Sequence, residues 1–192
     1  MTHAQFGWMR PVPNLISGAR VLCAPVLLWL ALAHHETAFG VVLIAALVSD
    51  IVDGVIARAF DAGSALGARL DSLADALLFP VAAFGAWVFH ADALRPSVWA
   101  FVAVLGLALA ENAAALLRYG RLSSFHTYLS RASAYALGAF VGSLFVFGFV
   151  SWLMWFAVVI AIVASLEEFV LLWRLPEWRS NVRGLWWVLH RP

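Results

Sequence analysis

The sequence has no lysine, a single cysteine and little charge of either sign. Its 192 residues include 12 basic residues, all of them arginine, and 11 acidic ones, so charged residues make up only 12% of the chain. The lone Cys23 excludes an internal disulfide and a cysteine-built metal centre, which leaves it a small packing residue. The scarcity of charge, set against 64% hydrophobic residues and a mean hydropathy of +0.91, excludes an ordinary soluble domain, of which only about half is apolar. A net charge of +1 says nothing about partners, and no nucleic acid is expected. There is no repeat at the period of a solenoid and no low-complexity linker. A cleavable signal peptide is not expected either, because the first apolar run carries Arg20 and lacks a small-residue cleavage site.

What remains is a series of long apolar runs. An all-α integral membrane protein with six transmembrane helices is expected, built as a single domain over residues 1–192. Residues 1–13 form a lead-in broken by Pro11 and Pro13, with Phe6 and Trp8 at the interface. The expected spans are 15–33, 37–60, 66–90, 97–118, 129–150 and 151–175, each long enough for a core of ~30 Å. Asn14 or Ser17 is expected near the cap of the first helix. His34 to Thr37 and Asp61 to Ser64 are connections, and a tail at 176–192 interleaves arginine with tryptophan as an interfacial anchor.

Six spans put both termini on one side. That side receives every arginine except Arg95, so by the positive-inside rule it is the cytoplasm. A bacterial-type inner membrane is the expected location. Gly138 and Gly142, four apart, permit close helix packing within a protomer or in a homodimer.

Five of the 11 acids fall between Asp50 and Asp75. Asp50 and Asp53 are three apart and Asp71 and Asp75 four apart, so each pair projects from one face of a helix. Apolar sequence lies on both sides. Four carboxylates at the ends of two membrane-length helices repel one another and resist burial, so a cation must hold them. Oxygen-only donors suit hard divalent ions such as Mg²⁺ or Mn²⁺. Arg58 and Arg69 alone do not neutralise four acids.

The stretch reads D-x-x-D-G-x-x-A-R, eight residues, then G-x-x-x-D-x-x-x-D. Asp50, Asp53, Gly54, Ala57, Arg58, Gly67, Asp71 and Asp75 fill every fixed position. This resembles the signature of the CDP-alcohol phosphotransferase (CDP-alcohol phosphatidyltransferase) family, integral membrane enzymes of phospholipid synthesis. The resemblance implies transfer of a phosphatidyl group from CDP-diacylglycerol, or a similar CDP-lipid, to the hydroxyl of an acceptor alcohol, with release of CMP. It implies an active site at the cytoplasmic side between helices 2 and 3, holding two divalent ions. Asp50, Asp53, Asp71 and Asp75 are the implied metal ligands, with Asp50 and Asp71 bridging and Asp75 also the general base. Gly54, Ala57 and Gly67 leave room for nucleotide, and Arg58 contacts phosphate or caps its helix. Pro13, Asn14, Ser17 and Arg20 resemble the family's amino-terminal P-N-x-x-[ST]-x-x-R run, which borders the nucleotide; Asn14 and Ser17 are the nucleotide-binding candidates there.

Arg118, Arg121, Ser124, Thr127 and Arg131 are the acceptor-binding candidates, because arginine forks suit phosphate. They point to a phosphorylated acceptor such as glycerol 3-phosphate or inositol phosphate. Serine or inositol in the same family is the alternative. Gly120-Arg121-Leu122-Ser123-Ser124 departs from the G-K-x-K-T-like run common in the family's phosphatidylglycerophosphate synthases, which leaves the acceptor open. His126 is read as a polar loop residue. Glu111, Asn112, Glu167 and Glu168 lie inside spans and need partners. Two rivals are an intramembrane polyprenyl transferase and a divalent-cation transporter. The first usually carries its acidic motifs on separated helices, and the second would hold its acids near the midplane.

Overall fold

A computed structural model describes residues 11–59, 65–121, 123, 125, 127–178 and 182–189, without the side chains of 11–16, 53–59, 65–69, 71 and 72. The described residues contain helices and no strand. In chain order these are α1 (Pro11–Leu32), α2 (Glu36–Ala59), α3 (Ala65–Leu94), a 3-10 turn (Arg95–Ser97), α4 (Val98–Tyr119), α5 (Tyr128–Phe147), α6 (Ser151–Arg174) and α7 (Leu185–Leu189).

Helix α1 begins two to four residues earlier than the sequence suggests. Its described part begins at Pro11. Asn14 and Ser17 therefore lie inside α1 rather than at its cap. The fifth helix stops at Phe147 rather than Val150, and Gly148 takes a left-handed φ of 76° beyond it. The short helix α7 lies within the tail expected to anchor at the interface.

Three described stretches are long and apolar enough to cross a membrane: Leu73–Tyr119, Tyr128–Phe147 and Ser151–Arg174. The first is 47 residues long and holds the end of α3, the 3-10 turn and α4. Ser17–Leu32 is a shorter apolar helix.

The described chain forms two compact units. One takes in the chain up to Ala91 and returns for 141–148. Its core is Leu27, Leu30 and Ala31 of α1 with Phe39 and Leu43 of α2. Leu78, Val81, Ala82 and Phe89 of α3 pack against it, as do Val141 and Phe145 of α5, and Cys23 is the packing residue expected of it. Phe39, Phe89 and Phe145 form a ring cluster with centroids 5.1–6.1 Å apart. Gly85 is required by that cluster, since a Cβ there would lie 2.1 Å from Phe39 Cζ.

The turn between α1 and α2 is a Schellman closure. His35 N–H donates to Leu30 O at 2.9 Å and His34 N–H to Ala31 O at 3.2 Å. His34 fills the left-handed position, at φ 55°, that glycine normally takes. His90, at the non-helical point of α3, sits 3.5 Å from Glu36 and 5.0 Å from the Phe145 ring.

The other unit holds 92–140 and 149–192. Its α6 buries Met154, Ala157, Val158, Ala161, Ala164, Glu168, Leu171 and Leu172, one stripe at helical spacing with small residues at three positions. At the far end of α4, Ala115 packs with Phe125, Leu171, Leu172 and Leu175. Tyr119 Oη donates to Leu175 O at 2.6 Å, which ties the end of α4 to the end of α6.

Candidate functional site

The aspartate signature lies on two consecutive helices. Asp50, Asp53, Gly54, Ala57 and Arg58 occupy the last turns of α2, and Gly67, Asp71 and Asp75 the first turns of α3. Five residues, 60–64, lie between the two helices, so the turn expected at Asp61 to Ser64 falls outside the described residues. So do the side chains of Asp53, Ala57, Arg58 and Asp71, and that of Asn14.

Of the four signature aspartates, Asp50 and Asp75 have described side chains. Asp75 is exposed and follows the fully buried Ala74. Asp50 is held by α1: Arg20 Nη1 donates to its Oδ1 in an ion pair. The Arg20 side chain is 2% exposed and that of Asp50 is 35% exposed. Ser17 is buried on the same face of α1, three residues before Arg20. Arg58 and Arg69 are the arginines nearest the aspartates in sequence, whereas Arg20 lies 30 residues before Asp50 and its pairing was not expected. The signal was present, since an arginine alone in an apolar helix needs a carboxylate.

In chemistry, the donor set fits a hard divalent cation, being carboxylate oxygens only. Among the described residues no three His, Cys, Asp or Glu side chains converge on one point. The site as described is therefore a carboxylate pinned from its buried side by a guanidinium, with an exposed carboxylate one helix on.

The acceptor candidates lie around the α4–α5 connection. Arg118 Nη2 donates to Leu175 O at 3.3 Å, and its guanidinium lies 5.6 Å from the centre of the Tyr119 ring. The Arg121 guanidinium lies 5.3 Å from the Trp178 ring centre. Both are exposed, as is Arg131 in the first turn of α5. Thr127 is fully buried and caps α5, its hydroxyl accepting Ser130 N–H at 3.1 Å. Ser124 and His126 lie outside the described residues. An open groove of about 320 Å³ beside Arg118 is lined by Ala114, Leu117, Leu172 and Trp173.

Glu167, inside α6, has a local partner. Glu167 Oε1 accepts Leu185 N–H at 2.9 Å at the start of α7. Gly184 lies so close that a Cβ would sit 2.9 Å from that oxygen. Glu111 and Glu168 are buried, and Val182 N–H donates to Phe125 O at 2.8 Å. That bond pins the α4–α5 connection. Asn112 donates to Ala108 O at 2.9 Å.

The family model for CDP-alcohol phosphatidyltransferase matches residues 10–163. The chain is similar to a cardiolipin synthase (CMP-forming) and mitochondrial hydrolase fusion protein of Schizosaccharomyces pombe, 42% identical over 67 residues, which are 35% of this chain and 11% of that protein. It is similar to the cardiolipin synthase (CMP-forming) of Rattus norvegicus, 44% identical over 72 residues, 36% of this chain and 24% of that one. A chloroplastic CDP-diacylglycerol–glycerol-3-phosphate 3-phosphatidyltransferase of Oryza sativa subsp. japonica is 33% identical over 114 residues, 59% of this chain and 32% of that one. The matches thus span a third or less of each relative's length. No solved structure matches. With a model match over most of its length, and with the family's eight signature positions at the end of α2 and the start of α3, the chain belongs to the CDP-alcohol phosphatidyltransferase family.

Proposed function

We propose that this chain is a divalent-cation-dependent transferase of phospholipid synthesis. It moves a phosphatidyl group from CDP-diacylglycerol to an acceptor alcohol and releases CMP. The observation that carries this reading is the complete signature from Asp50 to Asp75, lying wholly within the matched residues 10–163. In this reading α1 to α6 are six spans of one domain in a bacterial-type inner membrane. Both chain ends and the signature then face the cytoplasm, the compartment that supplies nucleotide.

Asp50, Asp53, Asp71 and Asp75 would hold two Mg²⁺ or Mn²⁺ ions, which when bound neutralise the diphosphate and the leaving CMP. Asp75 takes the proton of the acceptor hydroxyl, and its exposure on α3 suits a base that a second substrate must reach. The freed oxygen attacks the phosphorus that carries the diacylglycerol. The bond from that phosphorus to the bridging oxygen breaks, and CMP leaves with the electron pair. Gly54, Ala57 and Gly67 give the nucleotide room, and Asn14, Ser17 and Arg58 border it.

The acceptor in this reading is a phosphorylated alcohol bound near Arg118, Arg121 and Arg131. The name of the rice relative supports glycerol 3-phosphate. A guanidinium carries five N–H donors, so an Arg118 that gives one to Leu175 still has others to offer. In a second reading the acceptor is itself a phospholipid with a free hydroxyl. The groove beside Arg118 suits that reading, with apolar walls for an acyl chain and a guanidinium for a phosphate.

Steady-state CMP release tests both. The acceptors are glycerol 3-phosphate, inositol phosphate, phosphatidylglycerol, inositol, glycerol and serine, with the wild type and the Arg118→Ala, Arg121→Ala and Arg131→Ala variants. A phosphate-bearing acceptor should be best. Each variant should raise its KM roughly tenfold or more, since a charge-assisted hydrogen bond is worth about 1.5–3 kcal/mol, while the KM of the CDP-lipid is spared. A neutral alcohol or serine as best acceptor, with unchanged KM in the variants, contradicts the phosphate pocket. Release of a diphosphate from a polyprenyl donor, or metal uptake into vesicles without nucleotide, would replace the transferase reading with a rival.

A further inference from the structure

Of the arginines whose side chains are described, Arg20 alone is buried; Arg95, Arg118, Arg121, Arg131, Arg174 and Arg183 are exposed. It lies on the face of α1 that also buries Ser17, Ala24 and Leu27. Its exposure is 2% against 35% for the Asp50 side chain it grips. The guanidinium therefore approaches from the packed side, and the carboxylate opens outward.

Two roles fit an arginine beside a carboxylate that is to hold a cation. It can compete with the cation for that carboxylate, or it can aim the carboxylate at the cation. Burial decides between them. A competing arginine must let go when the cation arrives, and a guanidinium left without its carboxylate in a packed helix interface is strongly destabilising. A positioning arginine keeps its bond. It uses Oδ1, and a carboxylate has a second oxygen with lone pairs of its own.

We propose that Arg20 is a positioning residue for Asp50. It fixes one carboxylate oxygen from the buried side and thereby presents the other to the divalent cation, carrying α1 into the construction of a site whose acids all lie on α2 and α3. The inference rests on the reading of Asp50 as a metal ligand.

The sign of one measurement separates the roles. Removing a positive charge next to a cation site tightens cation binding if charge alone matters. Removing a partner that orients a ligand weakens it, typically 10–100-fold. The experiment is calorimetric titration of Mn²⁺ into the purified full chain, without nucleotide or lipid substrate, for wild type, Arg20→Gln, Arg20→Lys and Asp50→Asn. Arg20→Gln should bind Mn²⁺ roughly 10–100-fold more weakly, and Arg20→Lys should recover part of the loss. In an Asp50→Asn background, Arg20→Gln should cost nothing further, because the carboxylate it positions is gone. The Mn²⁺ concentration that half-saturates CMP release should rise by the factor seen in binding, with the maximal rate largely regained at high Mn²⁺.

Unchanged affinity in Arg20→Gln with a lowered unfolding temperature makes the ion pair structural only and overturns the proposal. Tighter affinity makes Arg20 a competitor and overturns it too. If Arg20→Gln does not hold its fold, Arg20→Lys decides alone, and Mn²⁺ affinity equal to wild type overturns the proposal. A wild type that binds no Mn²⁺ removes the metal-ligand reading itself, which distinguishes that failure from the failure of Arg20.

Discussion

At the scale of single residues, the proposed reading gives the two signature acids of α3 separable jobs. Asp71 and Asp75 share a face, but Asp75 is the last carboxylate of the signature, exposed and one turn further along the helix. A base matters to the chemical step, whereas a bridging ligand matters already to binding the diphosphate. Asp75→Asn should therefore keep affinity for CDP-diacylglycerol better than Asp71→Asn while losing turnover. Binding titrations with equal losses in the two variants would remove the distinction. Gly85 is a different kind of residue, fixed by packing. A methyl group there meets the Phe39 ring edge at 2.1 Å, and Phe39 is itself locked against Phe89 and Phe145. Overpacking of this kind costs about 1–3 kcal/mol, so Gly85→Ala should lower the unfolding midpoint by several degrees. An unshifted midpoint would mean that the ring cluster has room to move.

At the scale of elements, helix boundaries followed local chemistry the sequence displays. Thr127 caps α5 and the turn from His34 to His35 closes α1. The last carries a backbone penalty, because a side chain at φ 55° costs roughly 1–2 kcal/mol. His34→Gly should raise the unfolding midpoint, offset in part by the lost contact of the His34 ring with Phe89 at 6.4 Å. A fall in the midpoint would show that the ring contact outweighs the backbone relief. Other contacts were not legible. That Arg20 meets Asp50, 30 residues on, and that Glu167 meets Leu185, 18 residues on, depends on which helices pack together. Periodicity names the apolar face of a helix without naming the helix that covers it. The sequence showed that Glu167 needed a partner, and the structure supplied it; the partner of Arg20 came from the structure alone.

At the scale of the whole molecule, the signature needs little tertiary information to be read. Its eight positions sit within 26 residues, and helical spacing alone brings each aspartate pair to one face. The acceptor residues differ, since arginines gather on a cytoplasmic face for reasons of topology whether or not they bind anything. Arg118 and Arg121 already touch Leu175 and Trp178, so their positions alone name no ligand. The account therefore stands on the aspartates. The most direct test is CMP release from CDP-diacylglycerol in mixed micelles with an active acceptor, with and without Mg²⁺, for wild type, Asp50→Asn, Asp53→Asn and Asp71→Asn. The account predicts Mg²⁺-dependent CMP release by wild type, abolished by chelator, and a loss of roughly a hundredfold or more in each folded variant. CMP release that survives the chelator, or near wild-type rates at saturating Mg²⁺ in any one variant, would contradict the role assigned to that carboxylate.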